Sequence, residues 1–243
     1  MAASFAEGRP SRRILLKVSG EGFSREGETS LDTEQARLLA EQLKTLTHQG
    51  VEVACVIGGG NILRGGQAKQ YGLARATADY MGMLATVING LALCDALEAF
   101  GQPARVMSAI DVHKVCEPFI RRRAIRHLEK GRVVILVGGL GSPFFTTDTT
   151  AAQRGAELDC DLLMKLTMVD GVYDRDPKKH EDAVLFKDLT YEQVLQRQLR
   201  VMDQTAFAMC RENDLPIVVF NMHEPEGVVR VAQGERVGTL IQG

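Results

Sequence analysis

Short apolar runs of strand length recur from one end of this chain to the other, with helix-period segments between them. They are ILLKV (14–18), VEVACVI (51–57), RVMSAI (105–110), VVILV (133–137), LLMKLTMV (162–169) and IVVF (217–220). Strands this apolar need cover on both faces, which a parallel sheet obtains from its crossover helices. The intervening segments supply such helices. Residues 32–49 place Ala36, Leu39, Leu43 and Leu46 at three- and four-residue steps, with Asp32 as N-cap, Gln35 three residues on and Gly50 as the stop. Residues 77–100, 117–130 and 149–158 read as further helices, and two helical patterns lie between 190 and 213. The expected fold is a three-layer αβα sandwich around a mostly parallel sheet, with residues 13–243 as one domain behind a flexible tail, 1–12.

Composition narrows the class. Hydrophobic residues make up 45% and charged residues 25% of the 243, and the net charge is −2, as in an ordinary soluble protein and unlike a nucleic-acid coat. The five cysteines show no CxxC pair, so neither a zinc site nor a disulfide framework is indicated, and a reducing cytoplasm fits them. The opening MAASFAEGRPSRR lacks the apolar stretch of a signal peptide, and no run reaches about 18 consecutive apolar residues. The expectation is a soluble cytoplasmic protein.

Ligands of open parallel sheets bind beyond the carboxyl ends of the strands. Glycine-rich turns follow three of them: SGEG (19–22), GGGN (58–61) and GGLGSPFFTTDT (138–149). Glycine lets backbone N–H groups converge on an anion, and a following helix adds its N-terminal dipole. One such turn alone reads as a tight strand-to-helix connection; three together point to a ligand carrying several phosphates. Lys17 interrupts ILLKV just before SGEG, where its ammonium suits a transferring phosphoryl group. The Walker motif, the protein-kinase set and the dinucleotide fingerprint are all absent; Leu63 stands where the last needs glycine.

RILLKVSGE, VIGGGNILRG, ADYMGMLATVINGLAL, GSPFFTTDT, MVDGVYDRDP, VMDQTAF and LPIVVFNM follow one another in that order. Over residues 13–241 the chain resembles the bacterial uridylate kinases of the amino-acid kinase superfamily. The resemblance implies ATP-dependent phosphorylation of UMP to UDP in pyrimidine nucleotide biosynthesis, by in-line transfer with magnesium. It implies that Lys17, Val18, Ser19 and Gly20 hold the ATP phosphates with Gly60 and Arg64, and that Thr167, Tyr173 and Asp176 frame adenine and ribose. Gly59 would approach UMP, and Asp79 would take its ribose hydroxyls. Leu140, Gly141, Ser142, Pro143, Phe144, Phe145, Thr146 and Thr147 would wrap it, with both threonines donating hydrogen bonds and both phenylalanines packing on base or sugar. Lys17, Arg64, Asp148 and Asp203 would carry the chemistry, the two aspartates organising phosphates, lysine and magnesium.

The resemblance also implies a homohexamer with UTP as inhibitor and GTP as effector. Arg105 and Arg132 are the candidates for an effector pocket, while REGETS (25–30) departs from the glycine–phenylalanine–glycine pattern of GTP-responsive members. The arginines at 121, 122, 123 and 126 read as a solvated helix face, and Met81, Met83 and Leu84 as core or subunit-interface packing. The five histidines share no metal-ligand spacing. Two rival readings keep the fold: a carboxylate or carbamate acceptor, and a non-catalytic binder of nucleotides or oxyanions. The nucleotide-sized loop with Arg64 and Asp79 argues against the first, and Lys17, Asp148 and Asp203 against the second.

Overall fold

The computed structural model describes residues 11–24, 30–63, 72–199 and 201–243. Most of the tail, most of REGETS and Arg64 lie outside these. In chain order the elements are β1 (Arg13–Val18), α1 (Thr33–His48), β2 (Glu52–Ile57), α2 (Arg75–Ala99), β3 (Ala104–Ser108), β4 (Glu117–Pro118), α3 (Arg121–Leu128), β5 (Val133–Val137) and α4 (Thr147–Glu157). Then come β6 (Leu162–Thr167), β7 (Asp188–Leu189), α5 (Tyr191–Gln196), α6 (Gln204–Glu212), β8 (Ile217–Asn221), α7 (Gly227–Ala232) and β9 (Thr239–Ile241).

One sheet runs β4-β3-β5-β2-β1-β6-β8-β9-β7, parallel throughout except where β8 meets β9. Side chains alternate across it with period two. Ile14, Leu16 and Val18 join a core with α1, α2 and α7, whereas Leu15 joins one with α3, α4, α5 and α6. The sheet is therefore covered on both faces, as its apolar strands require.

The helix signals hold, with corrections. Asp32 caps α1 by accepting from the Glu34 N–H at 2.9 Å, so the carboxylate, rather than a box with Gln35, closes that end. Gly50 ends the helix at a φ of +84°. The helix expected from residue 117 begins only at Arg121, because Glu117 and Pro118 pair with Met107 and Ser108 as a short edge strand. A proline disfavours helical backbone in the residue before it, which accounts for the delay. Finally, α7, β7 and β9 carried no sequence expectation. α2 has the length and mean hydropathy of a membrane span. Part of that apolar character faces inward: Leu93 and Leu97 are fully buried, and so is the hydrogen-bonded amide of Asn89.

Candidate active site

Strands β5, β2 and β1 are consecutive in the sheet, so the three glycine-rich turns leave it side by side. The first two touch. A Cβ on Gly20 would lie 2.2 Å from the Gly60 nitrogen, and one on Gly58 would lie 2.6 Å from the Gly20 nitrogen. Only glycine permits this approach, which brings the main chains of both turns into contact. The turn after β2 is tied to α2 through Asn89, which donates to the Gly58 carbonyl at 2.8 Å and pairs with Asn61. Gly138, after β5, donates its N–H to Thr86 Oγ1 at 2.7 Å.

Parallel register sets Lys17 of β1 beside Lys165 of β6. Odd-numbered β1 side chains face α4, and there a single carboxylate meets both ammonium groups. Asp148 Oδ1 lies 2.9 Å from Lys17 Nζ, and Oδ2 lies 2.6 Å from Lys165 Nζ. Lys165 also donates to the Val201 carbonyl at 2.5 Å. All three side chains are at most 15% exposed, so the charges act in a poorly screened environment. Burial pushes the Asp148 carboxyl up, but the two lysines outweigh it and leave it below the ordinary carboxylate range. Burial, reinforced by Lys17, holds the Lys165 ammonium below its ordinary value despite Asp148. Lys165 was not singled out from sequence, although it breaks LLMKLT in the same way that Lys17 breaks ILLKV.

Asp203 stands beside this cluster in a structural role. Its Oδ1 caps α6 through the Ala206 N–H at 2.9 Å, and its Oδ2 accepts from Thr146 and Thr149 at 2.5 and 2.9 Å. Thr146 in turn caps α4 through the N–H groups of Asp148 and Thr149. The helix therefore starts at Thr147, earlier than the sequence suggested, and the Thr146 proton is committed to Asp203. Asp203 thus fixes the end of α4 that carries Asp148.

Two cavities flank the charged cluster. One, of about 610 Å³, is lined by Lys165, Thr167, Tyr173, Asp176, Arg197 and Val201. The other, of about 330 Å³, is lined by Gly59, Gly60, Asp79, Leu140, Ser142 and Phe145, with Thr146 and Thr147 at the helix end. Gly141, Pro143 and Phe144 of the same loop do not line it. Gly141 turns at a φ of +77° against the Ala109 carbonyl, and Phe144 is 60% exposed. Val18 points its side chain into the opposite core, and its carbonyl accepts the Gly58 N–H at 2.9 Å. Ser19 opens the turn Gly20–Phe23 with no side-chain cap bond. A further cavity of about 670 Å³, between α1 and α7, lies on the other face, and its Arg230 is neutralised by Glu224 and Glu235.

Residues 12–221 match the Amino acid kinase family. Over 232 residues the chain is 55% identical to a uridylate kinase of Xanthomonas oryzae pv. oryzae, covering 96% of this chain and 97% of that protein. The chain belongs to the uridylate kinases of the amino acid kinase family. A solved UMP kinase from Bacillus anthracis superposes with a TM-score of 0.93 at 40% identity, covering 96% of this chain and 97% of the other. One from Ureaplasma parvum gives 0.90 at 38% identity, with 96% and 99% covered.

For this uridylate kinase family member, Arg105 and Arg132 do not form an open pair. Arg105 lies 3.4 Å from Glu98 and 3.7 Å from Glu117, and Arg132 contacts His127 at 3.0 Å. His127 in turn meets Glu117 at 3.3 Å, so that carboxylate links the two arginines indirectly.

Proposed function

We infer that this chain is an ATP-dependent UMP kinase. An oxygen of the UMP phosphate attacks the γ-phosphorus of ATP in line, the bond from that phosphorus to the β,γ-bridging oxygen breaks, and UDP and ADP leave. Such transfers need alignment and charge neutralisation more than covalent help. One observation carries the reading: the Lys17–Asp148–Lys165 cluster stands between two cavities, Lys165 lining the larger and Thr147, the neighbour of Asp148, lining the smaller. The larger suits ATP, with Thr167, Tyr173 and Asp176 toward adenine and ribose. The smaller suits UMP, with Asp79 toward the ribose. Lys17 and Lys165 neutralise charge on the phosphoryl group in flight, Asp148 holds both in place, and Arg64 adds a phosphate contact.

Among the described residues no three histidines, cysteines or carboxylates gather as a metal site; Asp148 faces the two lysines, and Asp203 accepts from Thr146 and Thr149. We propose that magnesium arrives with the donor substrate as MgATP. α2 exposes Tyr80, Met81, Leu84 and Ile88 along one side. That stripe supports a homo-oligomer, for which we propose a hexamer in the cytoplasm serving pyrimidine nucleotide synthesis. UTP inhibition and a GTP response acting through Arg105 and Arg132 complete the reading. Alanine at both positions then changes the GTP response while leaving basal turnover intact.

The test is ADP formation from MgATP with UMP, CMP, glutamate, aspartate or carbamate as acceptor. Turnover with UMP alone is the expected result. Turnover confined to a small acid would move the chain to another acceptor class, and ATP binding without turnover would make it a binder.

A further inference from the structure

Phe144 is the residue of the acceptor loop whose placement the reaction does not explain. It sits at a φ of +74°, a conformation that bulky side chains rarely adopt, and its ring leaves the cavity that Phe145 lines. Three contacts accompany it. Its N–H donates to Asp79 Oδ2 at 2.8 Å. Its ring faces the Arg75 guanidinium, 5.0 Å from ring centroid to Cζ. Arg75 Nε itself lies 3.9 Å from the same Asp79 oxygen. Phe144, Arg75 and Asp79 therefore close a small ring of contacts at the N-terminal turn of α2, and among the described residues Asp79 Oδ1 has no protein partner.

We propose that Phe144 and Arg75 are positioning residues that hold the Asp79 carboxylate to receive a ribose diol, and so set the preference for ribo- over deoxyribonucleoside monophosphates. The left-handed backbone at Phe144 aims its N–H at Oδ2. With φ negative, that N–H would turn away and free the carboxylate to rotate. The cation–π contact with Arg75 holds the strained conformation in place. Pinned through Oδ2, Asp79 presents Oδ1 to the cavity, and a nucleotide lacking the 2′-hydroxyl leaves that acceptor partly unmatched. This rests on the assignment of Asp79 to the UMP ribose.

The experiment measures kcat and KM for UMP and dUMP, and KM for ATP, in the parent and in Phe144→Ala, Phe144→Gly, Arg75→Met and Asp79→Asn, with thermal melting as the check on folding. Alanine disfavours positive φ as phenylalanine does but lacks the ring. We expect Phe144→Ala to raise KM for UMP about tenfold, the scale of one hydrogen bond to a charged group, with dUMP and ATP nearly unmoved. Arg75→Met shifts the UMP-to-dUMP ratio the same way by about threefold. Phe144→Gly, in which positive φ is unstrained, keeps the ratio near that of the parent. Equal losses for UMP and dUMP, or an unchanged ratio in Phe144→Ala and Arg75→Met while Asp79→Asn abolishes it, would overturn the clamp alone. An unchanged ratio in Asp79→Asn removes the ribose assignment itself, and the clamp falls with it.

Discussion

The two sides of the site are built from different materials. On the donor side, Lys17, Lys165 and Asp148 project from two central strands and a helix end, each buried and each with a charged partner. On the acceptor side, residues 138–146 form a loop in which Gly138, Gly139, Gly141 and Phe144 all have positive φ. Strands hold a charge constellation to within the tolerance that phosphoryl transfer demands, whereas a loop adapts its backbone to the shape of one acceptor. The difference separates rate from selectivity: damage to the first region should appear in kcat, damage to the second in KM for UMP.

Lys17→Ala is the strongest test of that separation. Removing a preorganised transition-state donor should lower kcat by about 10²–10³-fold with KM for UMP little changed. A rise in KM with kcat preserved would erase the division. Asp148→Asn comes next, because it leaves two buried ammonium groups facing each other. It should cost about 3 kcal/mol in denaturant unfolding along with most of the turnover. It should also alter the acid limb of stability. A carboxyl held below its ordinary range contributes stability above the unfolded pKa and loses it as pH falls through the folded value, so the variant's stability should decline less steeply than the parent's on acidification.

Lys165 gives a third test on the same side. Its ammonium titrates below the ordinary lysine value, so the pH–rate profile should fall at lower pH than a free lysine would dictate, and Lys165→Arg should push that limb upward. Stability should move oppositely, rising with pH in that window, because the unfolded chain there binds the extra proton. The smallest effect belongs to the acceptor side. Phe145→Ala should raise KM for UMP about fivefold, the scale of one aromatic contact, and leave KM for ATP and kcat unchanged.

Much of this was legible in the chain. The central strands announced themselves because burial on both faces leaves little choice of residue, and Lys17 stood out against that background. Lys165 carried the same signal but appeared only once the register set it beside Lys17. The roles of Thr146 and Asp203 were not legible, since their hydroxyl–carboxylate bond joins residues 57 positions apart. The late edge was missed for a different reason. β7 is two residues long and β9 three, too short for any periodicity to register.

The place of β1 also constrains how the molecule is made. Among the described strands it comes first in chain order, yet it sits in the middle of the sheet between β2 and β6. Lys17 meets its sheet neighbour Lys165 only after every element from α1 to α4 has been synthesised. During translation the strand must wait with one edge open, so refolding should be slow and paced by long-range pairing rather than by helix formation.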